Sequence, residues 1–303
     1  MGLKYREADT RLQWAALSRR ALPYVLIAPT VFVLLGVLVY PMAKSLVYSF
    51  HSYSLLRPDS LKFVGFDNYI NILSSQQFWN SLRVTLIYTS VSVAIEFVLG
   101  ISIALLLNRP LFGRRLIRTI ILLPFFATPT VVALAWNMML NTEFGMANYF
   151  LSLLGIAPRN WLGPDLALPS LIMVEIWQQT SFIILILLAG LQALPEEPYE
   201  AAIIDGANPW QLLTQVTLPL LRPVILVALV FRTMFTLRVF DTIWVLTGGG
   251  PADKTRTFSI GIYLTGFRQF DIGTGAAISW ILLLITLVIS LVYWRYLSAD
   301  VEL

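Results

Sequence analysis

The sequence predicts an all-α integral membrane protein of six transmembrane helices, and three observations carry that prediction. Of 303 residues, 57% are hydrophobic and 13% charged, against about 25% charged in a soluble domain, and the mean hydropathy is +0.75. Six apolar stretches, near 22–43, 84–107, 118–141, 167–191, 223–246 and 273–294, each reach the roughly 20 residues a helix needs to cross about 30 Å of hydrocarbon. The 17 Gly and 16 Pro lie among apolar residues rather than in linkers, a usage that membrane helices tolerate.

Three of these stretches, Ala21–Ala43, Thr119–Thr142 and Ile272–Trp294, hold no charge over their full length. The first follows Lys4, Arg6, Arg11, Arg19 and Arg20, as a signal peptide would. Its apolar run is too long for an h-region and no small-x-small cleavage site stands out, so it reads as an uncleaved span. The charge rule for short loops then places residues 1–21 in the cytoplasm. It does the same for the loop Asn108–Ile117, which with its border carries Arg109, Arg114, Arg115 and Arg118, whereas Glu143–Leu166 has only Arg159. Lys44, Arg57, Lys62 and Arg83 in the outer 44–83 segment run against the rule. Six spans make 22–296 the membrane domain and return the tail 297–303 to the cytoplasm. The net charge of +4 therefore belongs to membrane borders and implies no nucleic-acid partner.

The segment Pro195–Pro219 between the fourth and fifth spans reads as two short helices joined by a turn. Pro198 suits a first helical position, Glu196 and Glu197 complement the positive end of the helix dipole, and Ala201 and Ala202 leave one face open to close approach. Gly206 fits the residue after a helix end, where φ is positive. Asn208 then caps a second helix with Pro209 at its first position, Pro219 ends it, and Pro223 opens the fifth span. A helical knob on the cytoplasmic side follows.

The spacing Glu200-Ala201-Ala202, Gly206, Val216-Thr217-Leu218-Pro219, with Asp205 and Pro223 in the extended pattern, resembles the permeases of binding-protein-dependent ABC importers. That resemblance implies the type I importer permease fold, with the knob as the coupling helix that docks on a separate ATPase. The docking element would be Glu200, Ala201, Ala202, Asp205 and Gly206. Two further segments look like the carbohydrate-uptake branch, the maltose, trehalose and glycerol-3-phosphate type of permease. They are Phe63-Val-Gly-Phe-Asp-Asn-Tyr69 with Phe78-Trp79-Asn80-Ser81-Leu82, and Phe240-Asp241 with Leu246-Thr-Gly-Gly-Gly-Pro251. The resemblance implies a heterodimer with a second, related permease, two copies of an ABC ATPase and an extracytoplasmic solute-binding protein. It also implies a disaccharide, oligosaccharide or polyol-type solute, and a place in the cell membrane. The short N-terminus and single span before the motif region look like the first permease of such a pair.

Ionisable residues inside spans are costly unless paired, and mark a pathway or a buried pair. The candidates are Glu96, Glu175, Arg232, Arg238 and Asp241. Arg238 and Asp241, three apart, are expected to pair on one helix. Glu175 and Arg232 fall near the midplane, where they either pair between helices or form a polar wall against substrate. Trp177, Gln178 and Gln179 follow Glu175 and offer a ring beside amides of the kind that sugar recognition uses, although aromatic residues also line ordinary helix contacts.

Other chemistry is excluded or disfavoured. With no Cys and a single His51, disulfides, thiolate metal sites and cysteine nucleophiles are ruled out. The nearest approach to a P-loop, Gly248 to Asp253-Lys254-Thr255, has Asp253 where the second Gly belongs. The chain should bind no cofactor, and ATP and magnesium would be used by the partner ATPase. An ion-driven secondary transporter would use the midplane carboxylates as a proton relay and have no need of the Gly206 loop. A glycerol-phosphate importer would share the architecture, and no catalytic constellation supports a membrane enzyme.

Overall fold

In the computed structural model residues 22–110 and 112–298 are described; the expected cytoplasmic segment 1–21 and most of the tail 297–303 lie outside them. Five helices are long and apolar enough to span a membrane, and a pair of shorter helices bent at a break makes six if the two are one span. The first helix, α1 (Leu22–Ser49), leads into a hairpin of β1 (His51–Ser54) and β2 (Arg57–Phe63), a small strand element within an otherwise helical chain. After α2 (Asp67–Ser74) comes α3 (Gln76–Asn108), eight residues longer at its start than the apolar run at 84–107. Ser75 caps it, accepting from the Phe78 amide.

The third apolar stretch differs from expectation. Instead of one span it is α4 (Arg114–Phe126) and α5 (Pro129–Met139), bent by 96°. The cause is local. Pro129 forces the preceding Thr128, and with it Ala127, into extended backbone. Carbonyls freed at such a break need partners at membrane depth, and α7 (Ala167–Gln192) supplies them. Gln178 Nε2 donates to the Ala127 carbonyl at 3.0 Å, and Ser181 Oγ fastens α4 itself, donating to the Ile121 carbonyl at 2.5 Å. A short helix α6 (Met146–Leu153) lies between the elbow and α7.

The knob begins with α8 (Glu197–Ile204). Beyond it, Pro209–Gln211 and a π-helical turn, Leu212–Thr217, run without a break into α9 (Leu218–Leu237). Pro219 therefore does not end a helix, and Pro223 lies inside α9 rather than opening it. The wide turn absorbs the proline: Pro219 has no N–H, its ring crowds the carbonyl four residues back, and the Leu218 amide reaches back five residues to Leu213. In α1 the same device recurs, where the π turn Leu35–Val39 precedes Pro41. At its far end α9 stops at Leu237, and α10 (Asp241–Leu246) starts after a break. The Leu246-Thr-Gly-Gly-Gly-Pro segment then turns back, α11 (Phe258–Tyr263) follows, and α12 (Ile272–Ser298) makes the last crossing.

The glycine-rich turn is firmly packed. Gly248 and Gly249 have φ of +60 and +93, which only glycine adopts without strain. Thr255 Oγ1 donates to the Gly250 carbonyl, Asn80 Nδ2 to the Asp253 carbonyl and the Phe258 amide to Thr85 Oγ1. The turn is thereby pinned to the start of α3. At the same end Asn68 Nδ2 donates to the Ser49 and His51 carbonyls and Tyr69 Oη to Ser49 Oγ. The motif Phe63–Tyr69 thus holds the hairpin to the end of α1.

The bundle centres on α3, α7 and α9. Ile183, Ile184, Leu187, Leu221 and Ala228 are buried together with Ala104 and Leu107. At Gly100 a Cβ would fall 2.5 Å from Ile183 Cγ2 and 3.0 Å from its Cβ, whereas at Gly36 it meets nothing within 4 Å. Gly100→Val is expected to push α3 from α7 and to cost about 1–3 kcal/mol, while Gly36→Ala stays within about 0.5 kcal/mol. Melting curves of the detergent-purified variants measure both; equal melting temperatures would contradict the close approach.

Candidate functional site

Two features at different depths stand out. At mid-depth, Arg232 of α9 is buried and holds two carboxylates from two other helices. Its Nε donates to Glu96 Oε2 at 2.6 Å, and its Nη2 donates to Glu96 Oε1 at 2.9 Å and to Glu175 Oε1 at 2.5 Å. The remaining Glu175 oxygen accepts from the buried Tyr88 hydroxyl at 3.0 Å. The fork of the guanidinium suits this double engagement. Glu175 and Arg232 are thus an interhelical pair, and Glu96, for which sequence reasoning found no partner, is its third member.

Glu175 and Arg232 of this network also line a cavity of about 430 Å³, together with Gln179, Arg238, Asp241 and a set of rings that includes Phe125, Phe182, Phe235 and Phe240. Glu175 and Arg232 thus form the interhelical pair and also line this cavity. Arg238 and Asp241 both reach the rim, but among the described residues no ion pair joins them. The helix breaks between them, removing the i, i+3 geometry, and Arg238 Nε donates instead to the Met234 carbonyl. Gln178 faces the elbow, buried, and Trp177 lies on an exposed face with its ring edge-on to Trp136. The amide that lines the cavity is Gln179. Its position one residue along, about 100° around the helix, is the kind of distinction that needs the bundle to be assembled.

The second feature is the knob. Helix α8 ends in a Schellman arrangement: Gly206 has φ +83, its amide donates to the Ile203 carbonyl at 3.0 Å, and the Ala207 amide donates to the Ala202 carbonyl at 2.9 Å. Asn208 and Gln211 form a capping box, each side chain accepting from the other's backbone amide. Tyr199 Oη donates to Thr217 Oγ1 at 3.1 Å and braces α8 against the wide turn. Glu200, Ala201, Asp205 and Gly206 are exposed, Ala202 is half-buried, and Pro219 is exposed on the helix leading into the membrane.

Sequence reasoning passed over Ile203, Ile204 and Trp210, which the knob presents at 60%, 85% and 70% exposure. Their signal was available, since two β-branched apolar residues and a tryptophan in a cap-flanked, otherwise polar turn have no core to enter. No cluster of three or more potential metal ligands occurs among the described residues.

Arg232→Met leaves two carboxylates uncompensated in the bundle and is expected to cost about 3–5 kcal/mol, seen as a lower melting temperature and yield of the solubilised chain. Adding Glu96→Gln and Glu175→Gln to the same variant should recover most of that loss. A single variant as stable as the parent would contradict the network.

Against known proteins the chain is similar over nearly its whole length. It is 42% identical over 295 residues to the trehalose/maltose transport system permease protein MalF of Thermococcus litoralis, covering 97% of this chain and 95% of that one. With the trehalose transport system permease protein SugA of Mycobacterium tuberculosis it shares 38% over 285 residues, covering 93% and 91%. Among solved structures, a subunit of a bacterial ABC transporter involved in the import of the acidic polysaccharide alginate superposes with a TM-score of 0.84 at 27% identity, over 96% of this chain and 99% of that one. Residues 96–298, which include the buried ion network and the knob, match the model of the binding-protein-dependent transport system inner membrane component, and the chain belongs to that family.

Proposed function

We propose that the chain is one of two membrane subunits of an ATP-driven importer, and that it translocates a sugar, a disaccharide or oligosaccharide, by alternating access. The observation that carries the ATP-driven part is the knob. Its two caps fix a rigid turn at one end of the bundle, and Ile203, Ile204 and Trp210 project from it without a covering surface in this chain. A separate ATPase receives this element, closes on ATP and magnesium, and pushes through the wide turn into α9, whose Arg232 grips α3 and α7. The knob and both termini then lie in the cytoplasm, and the glycine-rich turn faces the solute-binding protein. A complex of the alginate transporter with a pentasaccharide-bound periplasmic protein, 28% identical in the matched chain at a TM-score of 0.82, supports the last element.

The sugar reading rests on the trehalose and maltose relatives together with the cavity, whose rings beside Gln179, Arg238 and Asp241 suit a polyhydroxyl ligand. A second permease is supported by α1, whose most apolar 18-residue window buries nothing against its own chain. An ion-driven carrier could use the carboxylates near Arg232 but has no use for the knob.

Gly206→Asp is expected to leave membrane insertion intact, because a side chain there meets nothing within 4 Å, and to abolish ATP hydrolysis stimulated by the loaded binding protein. An Asp at φ +83 strains the turn that presents α8. Normal stimulation in that variant would refute the docking role. In proteoliposomes holding the two permeases and the ATPase, sugar uptake should require ATP; uptake by this chain alone under an ion gradient would refute the importer.

A further inference from the structure

At the membrane border away from the knob, a groove of about 490 Å³ runs between the upper part of α1 and the start of α12. Its floor is made of small residues: Gly266 of the π turn Leu264–Arg268, and Gly275, Ala276 and Ser279 of α12. There the chain segments lie close, since a Cβ on Gly275 would stand 3.1 Å from Gly266 Cα. A narrow slot is left under a rim of Tyr40 and Tyr48. Lys44 stands at its mouth. It lies 22 residues beyond Leu22, about 33 Å along the helix, which is one hydrocarbon thickness. Its ammonium is therefore at headgroup level.

That ammonium sits 5.8 Å from the Tyr40 ring centroid. No residue lining the groove is acidic, and among the described residues Lys44 forms no ion pair. Lysine is depleted at this border by the same charge bias that orients the chain, so its place beside an apolar slot asks for an anion that comes with a hydrocarbon tail. The Ser45 and Tyr48 hydroxyls border the same mouth.

We propose that this groove is a binding site for an anionic phospholipid, with the phosphate at Lys44, Ser45 and Tyr48 and an acyl chain lying along Gly266, Gly275 and Ala276. The lipid fills the seam between α1 and the bundle and holds a helix whose most apolar window its own chain leaves uncovered. The charge selects the headgroup and the glycines admit the tail.

Native mass spectrometry of the full chain in detergent, titrated with phosphatidylglycerol and with phosphatidylcholine, tests this. The parent should retain phosphatidylglycerol preferentially. Lys44→Gln should weaken that lipid about fivefold, the factor expected for one lysine at a membrane surface, and weaken phosphatidylcholine less, since its choline already offsets the phosphate charge; Lys44→Arg should keep the preference. Gly266→Leu, at a position where a Cβ meets nothing within 4 Å, should fill the slot and displace both lipids with the melting temperature maintained. Parent-like phosphatidylglycerol binding in both Lys44→Gln and Gly266→Leu would overturn the site. So would a Gly266→Leu chain that keeps its lipid but, co-expressed with the second permease, no longer co-purifies with it, because the groove would then be a protein interface.

Discussion

Arg232 grips α3 and α7 at once, and the interior of the bundle is arranged around that grip. Lipid tails are as apolar as leucine side chains, so burial alone gives membrane helices little reason to prefer one another. A guanidinium shared between Glu96 and Glu175 does give a reason, because either carboxylate left without it would face hydrocarbon. Such a buried ionic group is weak evidence for added stability. Its stronger effect is on register: α3, α7 and α9 can slide or rotate only by breaking hydrogen bonds of 2.5–2.9 Å. Because Glu175 and Arg232 also line the cavity, its wall is indexed by the same hydrogen bonds.

Helix α7 extends that order in a second direction. Glu175 joins the ion network, Gln178 and Ser181 serve the elbow between α4 and α5, and Gln179 and Phe182 line the cavity. Glu175, Gln179 and Phe182, at i, i+4 and i+7, share the cavity face, while Gln178 and Ser181 turn to the adjacent face. A displacement of α7 therefore reaches the elbow and the cavity wall together, through the same backbone.

What the sequence made legible was local. Gly206, Asn208 and Pro209 could be placed because their own backbone preferences, φ sign, capping and fixed φ, decide the structure around them. The long apolar helices were legible because the bilayer sets their length. The elbow was not, because hydropathy counts apolar residues and is blind to direction; Pro129 inside the charge-free stretch was the signal, and its effect at Thr128 outweighs uniform apolarity. The run-on of α9 past Pro219 was missed for the opposite reason, since a wide turn rescued a proline that reads as a stop. Arg238 and Asp241 looked like a helical pair until the break at 238–240 separated them. Which partner Arg232 takes, and that Gln179 rather than its neighbour meets the cavity, depend on how three helices meet. Spacing along one chain does not encode that.

The π turn at Leu212–Thr217 sets an angular offset as well as accommodating Pro219. A five-residue step carries one more residue than an α turn, and each residue advances about 100° around the axis. Arg232 lies downstream of that extra residue and the knob lies upstream, so the azimuth between them is fixed by a single inserted position. Had the segment been regular α-helix, the guanidinium would point toward a different quadrant of the bundle while the knob kept its heading. The wide turn thus acts as a phase plate between the two ends of α9, converting a given orientation of the knob into one particular orientation of Arg232.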